Sequence, residues 1–203
     1  MREKLLRDFL MLWSTVDPIG TLALFAGLTA GAGATERRRT AIRATLYALA
    51  ILVGAIVLGQ AILSGLGIRM ISLEVAGGII LFLFGLQMIF GTAGSAGGGP
   101  ETGHDLAVFP LAVPSIASPG AIMAAIVLTD NDRYGLGEQA LTTGVLVVVL
   151  AATCALMLLS GPVLRILGAN GAAILVRVMG MILAALSVEL VLRALGVGKW
   201  SGS

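Results

Sequence analysis

The chain has 203 residues, 58% of them hydrophobic and 12% charged, with a formal net charge of +2. Mean hydropathy is +1.02, and a soluble domain carries roughly twice that share of charged residues, so a water-soluble fold is excluded. No polybasic tail and no interleaving of basic with aromatic residues is present, which argues against a nucleic-acid partner.

The N-terminus, MREKLLRDFLMLW, starts basic, but no small-residue cleavage site follows and the apolar stretch continues past Pro18. It reads as a retained span rather than a signal peptide. A spanning helix needs about 20 mostly apolar residues. Six runs qualify, at 9–29, 41–63, 71–90, 106–128, 141–159 and 172–195. Backbone polar groups in lipid must bond internally, so each run is expected to be a helix. The connections fall at 31–39 (GAGATERRR), 64–70, 91–105, 129–139 (TDNDRYGLGEQ) and a brief break at 168–171. None is long enough for a soluble domain. The cluster Arg37, Arg38 and Arg39 with Arg43 places its loop in the cytoplasm by the positive-inside rule, which leaves both termini outside. Arg2, Lys4 and Arg7 weigh against that orientation.

The two halves resemble one another. VDPIG at 16–20 in the first span faces ASPGA at 117–121 in the fourth, and LSGLGIR at 63–69 faces LSGPVLR at 159–165. Gly78, Gly85 and Gln87 in the third span match Gly180, Ser187 and Glu189 in the sixth. Three spans per copy is an odd number, so tandem copies must insert in opposite senses, the inverted repeat common in secondary transporters. The expected fold is therefore all-α: a polytopic membrane protein of six transmembrane helices arranged as two inverted three-helix repeats. Residues 1–90 form the first repeat, 91–105 a flexible linker and 106–203 the second.

Proline inside a helix removes a hydrogen bond and clashes with the preceding turn. It suits the first turn of a new helix, and Asp and Ser are good N-caps. Asp17-Pro18 and Ser118-Pro119 each read as the start of a half-helix near the bilayer centre, so the first and fourth helices are expected to be broken. Pro114 adds a second break upstream. Two half-helix starts at the midplane present unpaired N–H groups and positive dipole ends, suited to a carboxylate. Asp17 is the only acid read deep in the first five spans. It could pair with a substrate ammonium, bind a cation or carry a proton.

Glu189 and Arg193 form a favourable i,i+4 pair, with proton coupling as the functional alternative for Glu189. Gln87 is a candidate for hydrogen bonding across the bundle. Gly77, Gly78, Gly85 and Gly180 read as packing residues and Cys154 as a small buried hydrophobe. His104 reads as a solvated loop residue and Trp200 as an interfacial anchor. No nucleophile–base set, phosphate loop or metal-ligand spacing is present, so no enzymatic activity, metal or cofactor is expected.

VDPIGTLALF followed by FPLAVPSIASPGAI resembles the MarC family of bacterial inner-membrane proteins, which includes SnatA-type neutral amino acid transporters. The resemblance covers nearly the whole chain. It implies a multi-pass inner-membrane transporter for a small neutral amino acid of the glycine, alanine or serine type, moved with protons or sodium. It places the site around the two motifs. The candidate set is Asp17, Pro18, Ile19, Gly20 and Thr21 from the first, and Pro114, Ser118, Pro119, Gly120 and Ala121 from the second. Coupling falls to Asp17 and Glu189. Family members often carry Asn where this chain has Thr21, and Gly where it has Ser118, so substrate preference is open. The alternatives are an exporter of amino acids or related metabolites, similar to LysE-type proteins, and a non-transporting membrane scaffold.

Overall fold

The computed structural model describes residues 2–29, 31–90 and 105–197, with the side chains at 163–170, 172, 173, 175 and 176 outside the description. The linker at 91–104, with His104, lies outside the described residues, as does Trp200. The described chain is all-helical. It runs as α1 (Arg2–Val16), α2 (Pro18–Leu28), α3 (Ala34–Gly65), α4 (Met70–Phe90), an irregular segment (Ala107–Ile116), α5 (Pro119–Leu128), α6 (Leu136–Leu158) and α7 (Ser160–Ala194).

Four stretches are long and apolar enough to cross a membrane, counting α1 and α2 together as 27 residues. A fifth is the irregular segment joined to α5 through a 55° bend. α7 is a further helix of 35 residues. The outer surface carries large exposed aliphatics such as Leu46, Val57, Leu58, Leu83 and Val148. Thr15, Thr142, Thr153 and Ser187 are buried inside. A contiguous apolar exterior around a partly polar interior is stable only in lipid. The protein is an integral membrane protein.

Three local expectations change. α3 begins at Ala34 and α6 at Leu136, so helix extends into residues read as loop. Hydropathy marks the hydrocarbon core, while backbone hydrogen bonding continues beyond it. α7 passes unbroken through 168–171. A glycine in a helix interior costs about 1 kcal/mol, too little to end a long helix. The chain turns instead at Leu159, and Pro162 falls in the first turn of α7, where its missing N–H is harmless. The first half of the fourth run is not a regular helix. Phe109 (φ −129°, ψ 127°) and Val113 (φ −132°, ψ 128°) are extended, each directly before a proline that disfavours helical geometry. Such backbone is tolerated at membrane depth where protein covers it; Ala107, Leu111, Ala112 and Ile116 are fully buried, while the side chains of Phe109 and Val113 are exposed.

Packing follows a paired pattern. α1 packs on α6 and α5, while the irregular segment packs on α3 and α2. α2 packs on α6 and α7, while α5 packs on α3 and α4. α3 crosses α6, and α4 crosses α7 in the most extensive interface of the molecule. Small residues let that last crossing close. A Cβ on Gly85 would lie 2.8 Å from the Gly180 carbonyl oxygen and 2.9 Å from the Ala184 nitrogen. A Cβ on Gly180 would lie 2.9 Å from the Gly85 carbonyl oxygen, and one on Gly78 would lie 3.1 Å from that of Ser187. Contacts move down α7 as they move up α4, so the two helices run antiparallel. Gly77 is likewise a packing residue, set against Met123.

These contacts are to backbone, which cannot yield. Gly85→Ala and Gly180→Ala are expected to destabilise the detergent-solubilised protein by about 1–3 kcal/mol. Gly54→Ala and Gly144→Ala, with open space around them, should be neutral or stabilising by about 1 kcal/mol. Thermal unfolding of the four variants checks the contrast.

Candidate functional site at the two helix breaks

Pro18 has no N–H, so α1 ends at Val16 and α2 starts anew. Asp17 between them has φ 50° and ψ 70°, a left-handed conformation that costs most residues about 1–2 kcal/mol and that Asp tolerates better. Its side chain turns over its own helix start and accepts from the Gly20 amide at 3.0 Å. The second break is built alike. Ser118 precedes Pro119 and its hydroxyl accepts from the Ala121 amide at 3.0 Å. α2 has 11 residues and α5 has 10. At about 1.5 Å per residue each spans roughly half of a 30 Å hydrocarbon core.

The two breaks are bonded to each other. The Ser118 hydroxyl donates to the Thr15 carbonyl at 2.9 Å, a carbonyl at the broken end of α1. The Thr21 and Ser115 hydroxyls meet at 3.1 Å. Beside this junction lies a cavity of about 200 Å³. That is below the roughly 300–1,000 Å³ of drug-sized sites, and it suits a small solute. Thr15, Asp17, Gly20 and Thr21 form one wall, and Pro110, Pro114 and Ser115 another. Leu24, Leu183 and, from α4, Phe84, Gln87 and Met88 complete it. Asp17 is 8% exposed. Among the described residues no lysine or arginine forms an ion pair with it.

Of the sequence candidates, Asp17, Gly20, Thr21 and Pro114 line the cavity. Ser118 stands behind the wall as cap and cross-link. Gly120 and Ala121 are buried in packing, and a Cβ on Gly120 would collide with Leu81. Pro18 is buried in the turn, Ile19 is half-buried and Pro119 is exposed. Gln87 lines the cavity. Glu189 lies outside it, on the exposed face of α7, with its carboxylate 3.4 Å from Arg193. Cys154 is half-buried and free.

Sequence reasoning passed over Pro110 and Ser115, which lie in an apolar run, and Thr15, which looks like an ordinary helix residue. A proline every four residues, at Pro110 and Pro114, was the available signal. Sequence reasoning also read Asp17 as the only acid deep in the first five spans and did not weigh acids just outside them. Asp8, one residue before the first apolar run, is fully buried. It accepts from Lys4 at 2.6 Å and from the Thr142 hydroxyl at 2.7 Å.

The fold and this site define a polytopic α-helical membrane protein with paired helix breaks beside a small, partly open cavity. The description "MarC family integral membrane protein" matches residues 3–197, and the chain belongs to the MarC family. It is 30% identical over 185 residues to the UPF0056 inner membrane protein YhgN of Escherichia coli (strain K12), covering 91% of each chain. It is 34% identical over 195 residues to a UPF0056 membrane protein of Archaeoglobus fulgidus, covering 91% of this chain and 88% of that one. A UPF0056 inner membrane protein MarC from Salmonella arizonae is 30% identical over 191 residues, covering 87% of this chain and 86% of that one. No solved structure matches.

Asn caps helices and adopts left-handed geometry as well as Asp does. Asp17→Asn should therefore keep stability within about 0.5 kcal/mol of the parent. Asp17→Ala should lose about 2 kcal/mol from the missing cap and the left-handed strain. Thermal melts of the two variants separate the charge of Asp17 from its structural role.

Proposed function

We propose that the protein is a secondary transporter of the bacterial inner-membrane type, moving small neutral amino acids such as glycine, alanine or serine with protons or sodium. One observation carries the reading. Two capped half-helix starts are cross-linked beside a small cavity whose wall includes a buried acid that, among the described residues, has no ion-pair partner. A zwitterion presents one group of each sign. Its ammonium suits Asp17, and its carboxylate suits hydroxyl donors on the cavity wall. The polar hydroxyls of Thr15, Thr21 and Ser115 supply further hydrogen bonds. Apolar Leu24, Phe84, Met88 and Leu183 leave room for a short side chain only. Asp17 is also the group proposed to take the coupling ion.

The architecture proposed with it is six spans in two inverted three-helix repeats. The contact pattern supports this reading. Exchanging α1 with the irregular segment, α2 with α5, α3 with α6 and α4 with α7 reproduces the principal packing pairs. The same exchange carries the Gly78–Ser187 contact onto Gly180–Gly85. A two-fold axis in the membrane plane would relate such halves. The scaffold alternative calls for a partner that neutralises Asp17, and among the described residues no cation pairs with it.

In proteoliposomes, labelled glycine or alanine should accumulate above empty vesicles under a proton or sodium gradient. Asp17→Asn should reduce the rate at least tenfold while the protein stays folded. Absence of uptake under every gradient would sink the proposal, and near-normal uptake by Asp17→Asn would remove that carboxylate from it.

A further inference from the structure

The cavity lies on one side of the midplane. Its walls come from α2 after the break, from the irregular segment before its break, and from the last two turns of α4. All three lie toward the turn between α2 and α3. From α1 only Thr15, beside the break, contributes, and α3, α5 and α6 contribute nothing.

Aligning Asp17 with Ser118 and Gly85 with Ser187 pairs the lining residues with positions in the other half. Pro110 and Pro114 fall on Phe9 and Trp13, and Ser115 falls on Ser14. Gln87 falls on Glu189, Phe84 on Leu186 and Leu183 on Leu81. On that side large side chains stand at the matched positions. The Phe9 and Trp13 rings stack with centroids 5.5 Å apart. They pack on the core together with Leu186. Leu81 is 2% exposed and lies against Gly120.

The two ends also differ in how they are tied. At the Phe9–Trp13 end, buried Asp8 holds Lys4 and Thr142 and so joins α1 to α6. At the open end, Arg43 and Asp105 join α3 to the start of the irregular segment at 2.6 Å, with both side chains well exposed. A solvated pair contributes little, whereas breaking a buried one is costly.

Resting on the transport reading, we infer that a second, occluded vestibule lies on the N-terminal side of the midplane. Phe9 and Trp13 plug it and the Lys4–Asp8–Thr142 tie locks it. It is the path by which the solute leaves the site toward the opposite membrane face. In that state Trp13, one turn before the Asp17 break, withdraws, and Glu189 stands where Gln87 stands in the open cavity. The acid outside the present site thus belongs to the other side of the cycle.

Accessibility of single cysteines tests this without any solute. In a Cys154→Ser background, Ser115→Cys and Ser14→Cys are treated with a membrane-impermeant maleimide on sealed vesicles of both orientations. Ser115→Cys should react from one face and Ser14→Cys should be protected from both. Adding Trp13→Ala should raise the reaction of Ser14→Cys about tenfold or more, from the face opposite to that of Ser115→Cys. Asp8→Asn, nearly isosteric, should do the same through the lock, and size-exclusion profiles confirm that both variants are folded. The inference is overturned if Ser14→Cys reacts as fast as Ser115→Cys in the parent. It is also overturned if Ser14→Cys stays protected in both variants, or if the exposed residue reacts from the same face as Ser115→Cys. Labelling is independent of uptake, so failure here leaves the transport reading standing, whereas failed uptake removes the solute path without changing the labelling pattern.

Discussion

The structure depends on one constraint: a backbone broken inside a membrane must find its hydrogen bonds within the protein. Two prolines break the chain at mid-depth, and each break frees donors ahead of it and acceptors behind it. The molecule meets the need reciprocally. Asp17 and Ser118 each cap the helix they begin. Ser118 then spends its hydroxyl proton on a carbonyl that the other break left open. Neither half-helix could sit alone in lipid with its terminus bare. The joined breaks share this hydrogen bond and hold polar groups at a depth where polar groups are otherwise excluded.

Around this junction the remaining helices divide the work. α4 and α7 approach through Gly85 and Gly180 until backbone meets backbone. Such a contact is rigid, because nothing in it can change rotamer. The cavity lies between that frame and the broken elements, so two of its walls are stiff helices and two are built from interrupted chain. A site of this kind can change shape by moving the interrupted chain while the frame stays fixed.

Two of the buried acids, Asp8 and Asp17, show how context sets the surroundings of a charge. Asp8 has a lysine and a hydroxyl within hydrogen-bond reach, and its charge is answered inside the protein. Asp17 has the Gly20 amide and the open cavity. A buried charge without a counter-ion is costly, and among the described residues no cation pairs with Asp17. The same residue type is tied to a lysine in one place and faces a cavity in the other.

Much of this was legible in the chain itself. Apolar length marks the spans because a bilayer demands about 20 apolar residues from any helix that crosses it. Asp-Pro and Ser-Pro mark the breaks because a missing N–H and a side-chain cap act over three or four residues. These are local rules, and residue order decides them. Tertiary structure decided the rest. Pro110, Ser115 and Thr15 line the cavity because segments about a hundred residues apart are brought side by side. Ser118 and Gly120, prominent in the sequence, stand behind the wall, since a cap must turn toward its own helix and a glycine that meets Leu81 has no free face. Asp8 escaped notice because it precedes the first apolar run, and only α6 packing over it takes it out of water. Matched motifs in the two halves lie in different surroundings, a cavity beside Pro114 and the Phe9–Trp13 ring pair beside the other break. Side-chain volume at matched positions, set against distant partners, made that choice.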